Sequence, residues 1–278
     1  MNLYMFFGIL WICQFLKAKT QFITMVSAST YYFNSDKETE GHAELDLAVT
    51  FTYKYHIGSL AFGSFIIALI EFIKWCFLVV AEYAAQASGE NKVVKIVIRV
   101  AECCITCLEK ICDYINKSAY SYMAVSGDGF CKSAWNGFLL NMKHAMKFAF
   151  ANFLAQGFIL LGKLGIVVIN LLFLYLIMKV RGDIEEVGSY GWMVPAFVVG
   201  AITYIAASVF LGLFDETVLA LVTSLCVDID LNGKPKYGPP TFHETIDNLF
   251  AEDSDDDAAK HYKGTKKRRN ADDRNDIN

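Results

Sequence analysis

The sequence between residues 57 and 82 is IGSLAFGSFIIALIEFIKWCFLVVAE, and this stretch decides the fold class. Its only charged residues are Glu71, Lys74 and Glu82, and no proline interrupts it. A bilayer core about 30 Å thick is crossed by roughly 20 apolar residues in an α-helix. Residues 57–82 are therefore predicted to form a helix that spans a membrane.

Three further stretches have the length of a membrane span. Residues 152–178 and 192–214 are almost free of charged residues. Residues 3–33 are also long enough, but Lys17 and Lys19 lie near their middle. A lysine at the centre of a bilayer costs about 2.5–3.5 kcal/mol, so we expect both ammonium groups to face a water-filled cavity, a partner helix or the membrane interface. The prediction is an all-α, polytopic membrane protein with four transmembrane helices.

The composition agrees with this prediction. Hydrophobic residues make up 55% of the chain and charged residues 19%, and the mean hydropathy is +0.35. Soluble domains carry about 25% charged residues. The start of the chain has no basic segment and no small-residue cleavage pattern, so we expect residues 1–33 to belong to the mature chain and not to a signal peptide.

The connection between the second and third predicted spans, residues 83–147, contains apolar residues at helical spacing from Val93 to Ile111. This pattern predicts an amphipathic helix that lies on the membrane or caps the bundle. The connection is also rich in lysine, whereas residues 34–56 and 180–191 are not. Under the positive-inside rule, residues 83–147 and both chain termini are predicted to be cytosolic, and the two lysine-poor connections to be outside.

The chain is therefore expected to have two parts, a transmembrane domain at 1–250 and a charged tail at 251–278. The tail holds an acidic run followed by a basic run, and it is predicted to be disordered. Contact of its basic run with anionic lipid is the alternative, but a solvated tail is the commoner state of such sequences.

No pattern of catalysis is present in the sequence. It lacks a phosphate-binding loop, a nucleophile elbow and a His-Glu-x-x-His motif. Cys104 and Cys107 form a CxxC pair, but no second pair follows at zinc-finger distance, so thiols at the membrane surface, with acylation as an option, are favoured over a zinc site. We therefore expect no enzyme activity, no metal, no cofactor and no nucleic-acid partner.

Two kinds of side chain in the predicted spans are candidates for a binding role. Glu71 and Lys74 are three residues apart, so a self-neutralised pair is the first interpretation and substrate contact the second. Aromatic faces bind quaternary ammonium ions, although Tyr31 and Tyr32 at a span end are typical of the interfacial aromatic belt.

Residues 55–64, YHIGSLAFGS, closely resemble the tyrosine-histidine-leucine-glycine-serine-leucine-alanine-phenylalanine-glycine-serine stretch of the choline transporter-like proteins. Further stretches resemble the same family in the same order. They are CLEK at 107–110, NKSAY at 116–120, GDGFCKSA at 127–134, FILLGKL at 158–164, ET at 216–217 and YGPP at 237–240.

The resemblance implies that this chain corresponds to the last four spans of a longer family member. It is then expected to be a fragment, one piece of a split protein or a degenerate paralogue. The family usually has small or apolar residues where Lys17 and Lys19 stand, and a glutamine where Glu71 stands, so choline selectivity is the property that these departures affect most.

The resemblance implies membrane transport of choline or a related amine such as ethanolamine, in the plasma membrane or else in an organellar membrane. The alternative is a non-transporting scaffold or accessory subunit derived from the same family. Besides the lipid bilayer, the expected partners are the missing amino-terminal half or further copies of the chain. The residues expected to line the substrate path are Trp11, Gln21, Tyr32, Phe62 and Glu71.

Overall fold

The computed structural model describes residues 3–87, 92–181 and 192–243. Within these ranges the chain is helical apart from short loops and contains no strand, which confirms the all-α prediction. The helices in chain order are α1 (Leu3–Asn34), α2 (Leu45–Phe51), α3 (Ile57–Ala87), α4 (Lys92–Ser126), α5 (Phe130–Lys143), α6 (Ala145–Arg181) and α7 (Met193–Asn232).

Three stretches of the described chain are long and apolar enough to cross a membrane: Leu45–Ala84, Ala145–Arg181 and Met193–Asn232. They correspond to the predicted spans at 57–82, 152–178 and 192–214. Helix α1 has 32 residues, which is sufficient length, but it is not one of the three. A membrane-spanning α1 stays a prediction.

A π-helical turn at Thr52–His56 joins α2 to α3 without a break in the helix. Such a turn contains one more residue than an α-helical turn. It buries the side chains of Thr52 and His56. The imidazole of His56 lies between two phenylalanine rings, with its centroid 5.4 Å from that of Phe22 and 4.5 Å from that of Phe51.

The helices of the bundle run in two opposite directions. Helix α3 runs antiparallel to both α1 and α4, and α6 runs antiparallel to α7. Helices α1 and α7 are parallel, because the hydrogen bonds between them ascend along both helices. These bonds join Gln21 to Glu216, Ser29 to Ser224 and Tyr32 to Asp228.

The bundle has two halves that differ in packing. The packed half comprises residues 18–62, 114–143 and 215–243, and it contains the fully buried side chains of Phe22, Met25 and Met123. The open half comprises residues 3–17, 63–87, 92–113, 157–181 and 193–214. Many of its large apolar side chains are exposed; Phe197, for example, is 78% exposed. The two halves meet near the middle of α7.

The segment after α7 is fixed to the end of α1 by one carboxylate. Asp228 is fully buried and accepts hydrogen bonds from the Tyr32 hydroxyl, the Asn232 amide and the backbone N–H groups of Lys236 and Tyr237. The N–H of Gly238 then donates to the backbone oxygens of Tyr32, in α1, and of Ser35, just after α1, and its φ of 111° lies in the region that favours glycine. The chain after α7 is thus part of the packed half.

These contacts place the segment 233–243 beside the acidic loop at 35–44, at the same end of the bundle. In that loop, backbone N–H groups of Thr39 and Glu38 hold the pKa of Asp36 below its ordinary value. In the predicted orientation the loop and the tail lie on opposite sides of the membrane, whereas residues 233–243 and the loop share one end of the bundle; the orientation in the membrane stays a prediction. The lysine count treats residues 83–147 as one connection on one side of the membrane. In the structure, α4 within this connection runs antiparallel to α3 and lies along its length.

Two predictions fall outside the described residues. They are the lysine-poor connection at 180–191, of which only residues 180 and 181 are described, and the charged tail at 251–278. The predicted amphipathic helix in the connection 83–147 is confirmed as α4, which is followed by the shorter α5.

Candidate functional site

A layer of five polar side chains links four helices where the two halves of the bundle meet. The Gln21 amide donates to Glu216 Oε1 over 2.6 Å, and the Lys117 ammonium lies 3.2 Å from the same oxygen. Lys117 also lies 3.5 Å from Asp215 Oδ2, and the Gln156 amide donates to Asp215 Oδ1 over 3.0 Å. We call Gln21, Lys117, Gln156, Asp215 and Glu216 the polar layer.

Glu216 is the most deeply buried member of this layer, with 5% of its surface exposed. Its Oε1 has two donors, whereas its Oε2 has no hydrogen-bond partner in the described part of the chain. A buried carboxylate oxygen without a donor is costly, so it favours any group that supplies a donor or a positive charge.

A cavity of about 590 Å³ opens beside the polar layer, between α4, α5, α6 and α7. Three members of the layer, Lys117, Gln156 and Asp215, line it. A volume of this size is typical of small-molecule sites, which lie within about 300–1,000 Å³. The further polar lining consists of Lys110, Asp113, Ser118, Asn141 and Asn152, and the aromatic lining of Tyr114, Phe138 and Phe148.

The charged groups of the cavity wall balance one another. The carboxylates of Asp113 and Asp215 are matched by the ammonium groups of Lys110 and Lys117, and Lys117 also pairs with Glu216 behind the wall. Carboxylates attract a cation, and aromatic faces bind quaternary ammonium groups with about 0.5–2 kcal/mol per contact. The wall therefore combines the two kinds of group that recognise a small organic cation.

A family model described as "Plasma-membrane choline transporter" matches residues 1–230. The chain belongs to this family. The match covers the polar layer, the cavity and every helix up to the last turns of α7.

Curated relatives of the choline transporter family agree with this assignment. The chain is 28% identical over 246 residues to choline transporter-like protein 1 of Mus musculus, covering 87% of this chain and 36% of the relative. It is 31% identical over 257 residues to choline transporter-like protein 2 of Cavia porcellus, covering 90% of this chain and 35% of the relative. The chain thus spans about a third of the length of these relatives.

Of the five residues predicted to line a substrate path in this choline transporter family member, only Gln21 lies in the polar layer. Tyr32 is buried at the far end of the packed half, where its hydroxyl donates to Asp228 over 3.1 Å. Neither side chain is part of the cavity wall.

The other three predicted residues lie on α1 and α3, away from the cavity. The Trp11 indole N–H donates to the Ala61 carbonyl over 3.2 Å, and Glu71 accepts a hydrogen bond from the Gln14 amide over 2.5 Å. Phe62 is 49% exposed and lines a shallow recess beside the loop between α4 and α5. The structure therefore does not bring the five residues to one place, and their role in binding stays a prediction.

The first interpretation of Glu71 and Lys74 as an intrahelical pair is wrong. Lys74 forms an ion pair of 2.5 Å with Glu109 of α4, and Glu71 hydrogen bonds to α1. Both partners come from helices that pack on α3, and this was not visible from spacing along α3 alone.

Lys17 and Lys19 are in different environments. The Lys19 ammonium lies 5.0 Å from the ring centroid of Phe15 and 5.4 Å from that of Tyr53, so aromatic faces replace part of its hydration. Lys17 is exposed on the outer side of α1. Cys103, Cys104 and Cys107 are also exposed, and no group of metal-ligating side chains occurs among the described residues.

The cavity-lining charges of α4 were missed, although the sequence holds a signal for them. Lys110, Asp113 and Lys117 follow one another at spacings of three and four residues, which places them on one face of a helix. On a helix at the membrane surface such a face would be expected to point to water, whereas in the structure it borders the cavity.

Proposed function

We propose that this chain takes part in the transport of choline or a related amine across the plasma membrane, as part of a choline transporter-like protein. The match of the family model across residues 1–230 carries this proposal. The cavity supports it, because its wall combines two carboxylates with aromatic side chains, and both kinds of group bind small organic cations.

In this proposal the polar layer holds the cavity carboxylates in place. Lys117 bridges Asp215 and Glu216, and Gln21 and Gln156 each fix one carboxylate oxygen. A bound ammonium group competes with Lys117 for the same carboxylates. Substrate binding on this wall is therefore coupled to contacts that join α1, α4, α6 and α7.

Uptake of radiolabelled choline into proteoliposomes tests the proposal. Two proteins are compared: the isolated chain, and mouse choline transporter-like protein 1 in which this chain replaces the aligned segment. We expect saturable uptake by the chimera that unlabelled choline inhibits. No uptake by the chimera above empty vesicles, while the unmodified mouse protein is active in the same vesicles, would contradict the proposal.

Two substitutions in the chimera locate the site. Asp215→Asn removes a cavity carboxylate, and we expect choline uptake at low concentration to fall about tenfold, because a hydrogen bond to a charged group contributes about 1.5–3 kcal/mol. Asp230→Asn is the matched control, since Asp230 pairs with Lys143 and His144 outside the cavity. Equal effects of both substitutions would exclude the cavity as the binding site.

The second candidate function is a non-transporting scaffold or accessory subunit. The exposed apolar side chains of the open half favour it, since a partner helix can cover them. Purification in mild detergent separates the two functions. A stoichiometric membrane partner together with an inactive chimera supports the subunit, whereas active uptake supports the transporter.

A further inference from the structure

Helix α4 presents an uninterrupted apolar face that no described residue covers. The residues of this face fall within one arc of about 120°, given 100° per residue in an α-helix. We call it the α4 arc. It consists of Ile96, Val97, Val100, Cys104, Cys107, Leu108 and Ile111, and all seven side chains are exposed.

The charged residues of the same stretch lie outside the α4 arc. Glu109 forms the ion pair with Lys74 of α3, and Lys110 and Asp113 line the cavity. Arg99 stands eighteen residues, or five full turns, before Lys117 and so shares the face that contacts α7. A helix in water has its charges outward and its apolar side chains inward. In the first half of α4 the apolar arc is exposed, and so are Arg99, Glu102 and Lys110 on the charged side.

The depth of this half of α4 follows from its contacts with α3. Lys74 pairs with Glu109, and the Asn116 amide donates to the Gly63 carbonyl. Helices α3 and α4 are antiparallel, so residues 99–112 of α4 lie beside residues 71–84, the last part of the apolar span Leu45–Ala84. Helices α4 and α7 are parallel, since Lys117 pairs with Asp215 and Ser121 with Thr223, so residues 95–112 lie level with the start of the apolar span Met193–Asn232. Eighteen helical residues extend about 27 Å, close to the thickness of a bilayer core.

We infer that α4 crosses the membrane, with the α4 arc in contact with lipid acyl chains and its charged face turned toward the cavity. The arc continues the exposed apolar surface of the open half at the same depth. If α1 also crosses, the described chain crosses the membrane in α1, α3, α4, α6 and α7. The first and the fifth crossing then run in the same direction, which agrees with the parallel course of α1 and α7. The inference does not depend on choline transport.

A native thiol within the arc allows a direct test. The exposed and half-buried cysteines other than Cys104 are replaced by alanine, the buried Cys226 is kept, and Cys104 is spin-labelled in the full chain in phosphatidylcholine vesicles. Collisions of the label with oxygen, which dissolves in lipid, are compared with those of a water-soluble nickel chelate. Ile169→Cys on α6 is the lipid control, and Glu38→Cys in the acidic loop is the water control, both without Cys104.

We expect the Cys104 label to show the high oxygen and low nickel accessibility of the Ile169→Cys label. Accessibility like that of Glu38→Cys would overturn the inference and place the arc in water. Low accessibility to both reagents would also overturn it, because a protein then covers the arc in place of lipid. Elution at the wild-type volume in detergent shows that each variant is folded.

The sidedness of two positions provides an independent test. Tyr83 is exposed near the end of α3, and Ser126 is exposed at the end of α4. In sealed vesicles we expect Tyr83→Cys and Ser126→Cys to react with a membrane-impermeant maleimide from opposite sides, and Ser126→Cys to react from the same side as Glu38→Cys. Reaction of Tyr83→Cys and Ser126→Cys from one side would contradict a crossing by α4.

Discussion

The two halves of α7 are equally helical but differ in what surrounds them. Residues 193–214 carry no charge, and most of their large side chains are exposed. Residues 215–232 contain Glu216, Thr223, Ser224 and Asp228, and all four side chains are buried. Within this one helix the apolar side chains face outward and the polar ones inward.

This comparison shows that hydropathy and burial are separate properties in this protein. The open half is apolar because lipid or another membrane helix surrounds it, and the packed half holds polar groups because each finds a partner on another helix. Stability should therefore reside in the packed half. The following substitutions, made in pairs, test this difference, and the melting temperature in detergent measures each effect.

The largest difference is expected for a pair of phenylalanines. Phe22 is fully buried in the packed half, and Phe197 is 78% exposed in the open half. Phe22→Ala should cost about 3–5 kcal/mol, because it leaves a cavity in the core. Phe197→Ala should change stability by less than about 0.5 kcal/mol. Equal losses of melting temperature for the two variants would remove the distinction between the halves.

A smaller difference is expected for a pair of polar residues. Asp228→Ala leaves four donors of the packed half without their acceptor, and we expect a loss of about 2–4 kcal/mol. Asn170→Ala in α6 removes only a bond to the carbonyl of Ile166 in its own helix, so its effect should be within about 0.5 kcal/mol. If Asp228→Ala melts like the wild type, the hydrogen bonds to Asp228 do not stabilise the protein.

Two glycines should respond with opposite signs. A Cβ at Gly137 would lie 2.7 Å from the Ser118 carbonyl oxygen, so Gly137→Ala forces α4 and α5 apart and should cost about 1–3 kcal/mol. Nothing lies within 4 Å of a Cβ at Gly165. Gly165→Ala should stabilise α6 by about 0.5–1 kcal/mol, because alanine favours the helix. A destabilised Gly165→Ala protein would indicate a close neighbour at that position.

The smallest effect is expected for the ion pair between α3 and α4. A double-mutant cycle of Lys74→Ala and Glu109→Ala should give a coupling energy of about 0.2–1 kcal/mol in detergent, because both side chains are partly exposed. The pair of Lys143 with Asp230 serves as the reference. A coupling energy of zero for Lys74 and Glu109 would mean that this ion pair does not help to hold α4 against α3.

The sequence was a good guide wherever a single helix determined the property. Length and apolarity predicted four spans, three of which are helices that can cross a membrane, and helical spacing predicted an amphipathic α4. The partners of Glu71 and Lys74, and the cavity between α4 and α7, depend on how helices pack on one another. Spacing along one helix contains no information on which neighbour supplies a partner. The side-chain contacts of Gln21 and Tyr32 could not be predicted for the same reason.

The π-helical turn at Thr52–His56 has a consequence for the register of the chain. Its extra residue rotates everything before it by about 100° relative to α3. Removal of one residue from the turn would restore a regular helix and swing Ala48 and Phe51 around the axis, away from Phe22. The π-helical turn thus rotates the side chains of α2 relative to those of α3. One continuous helix can therefore pack α2 against α1 and α3 against its own neighbours without a break in its backbone.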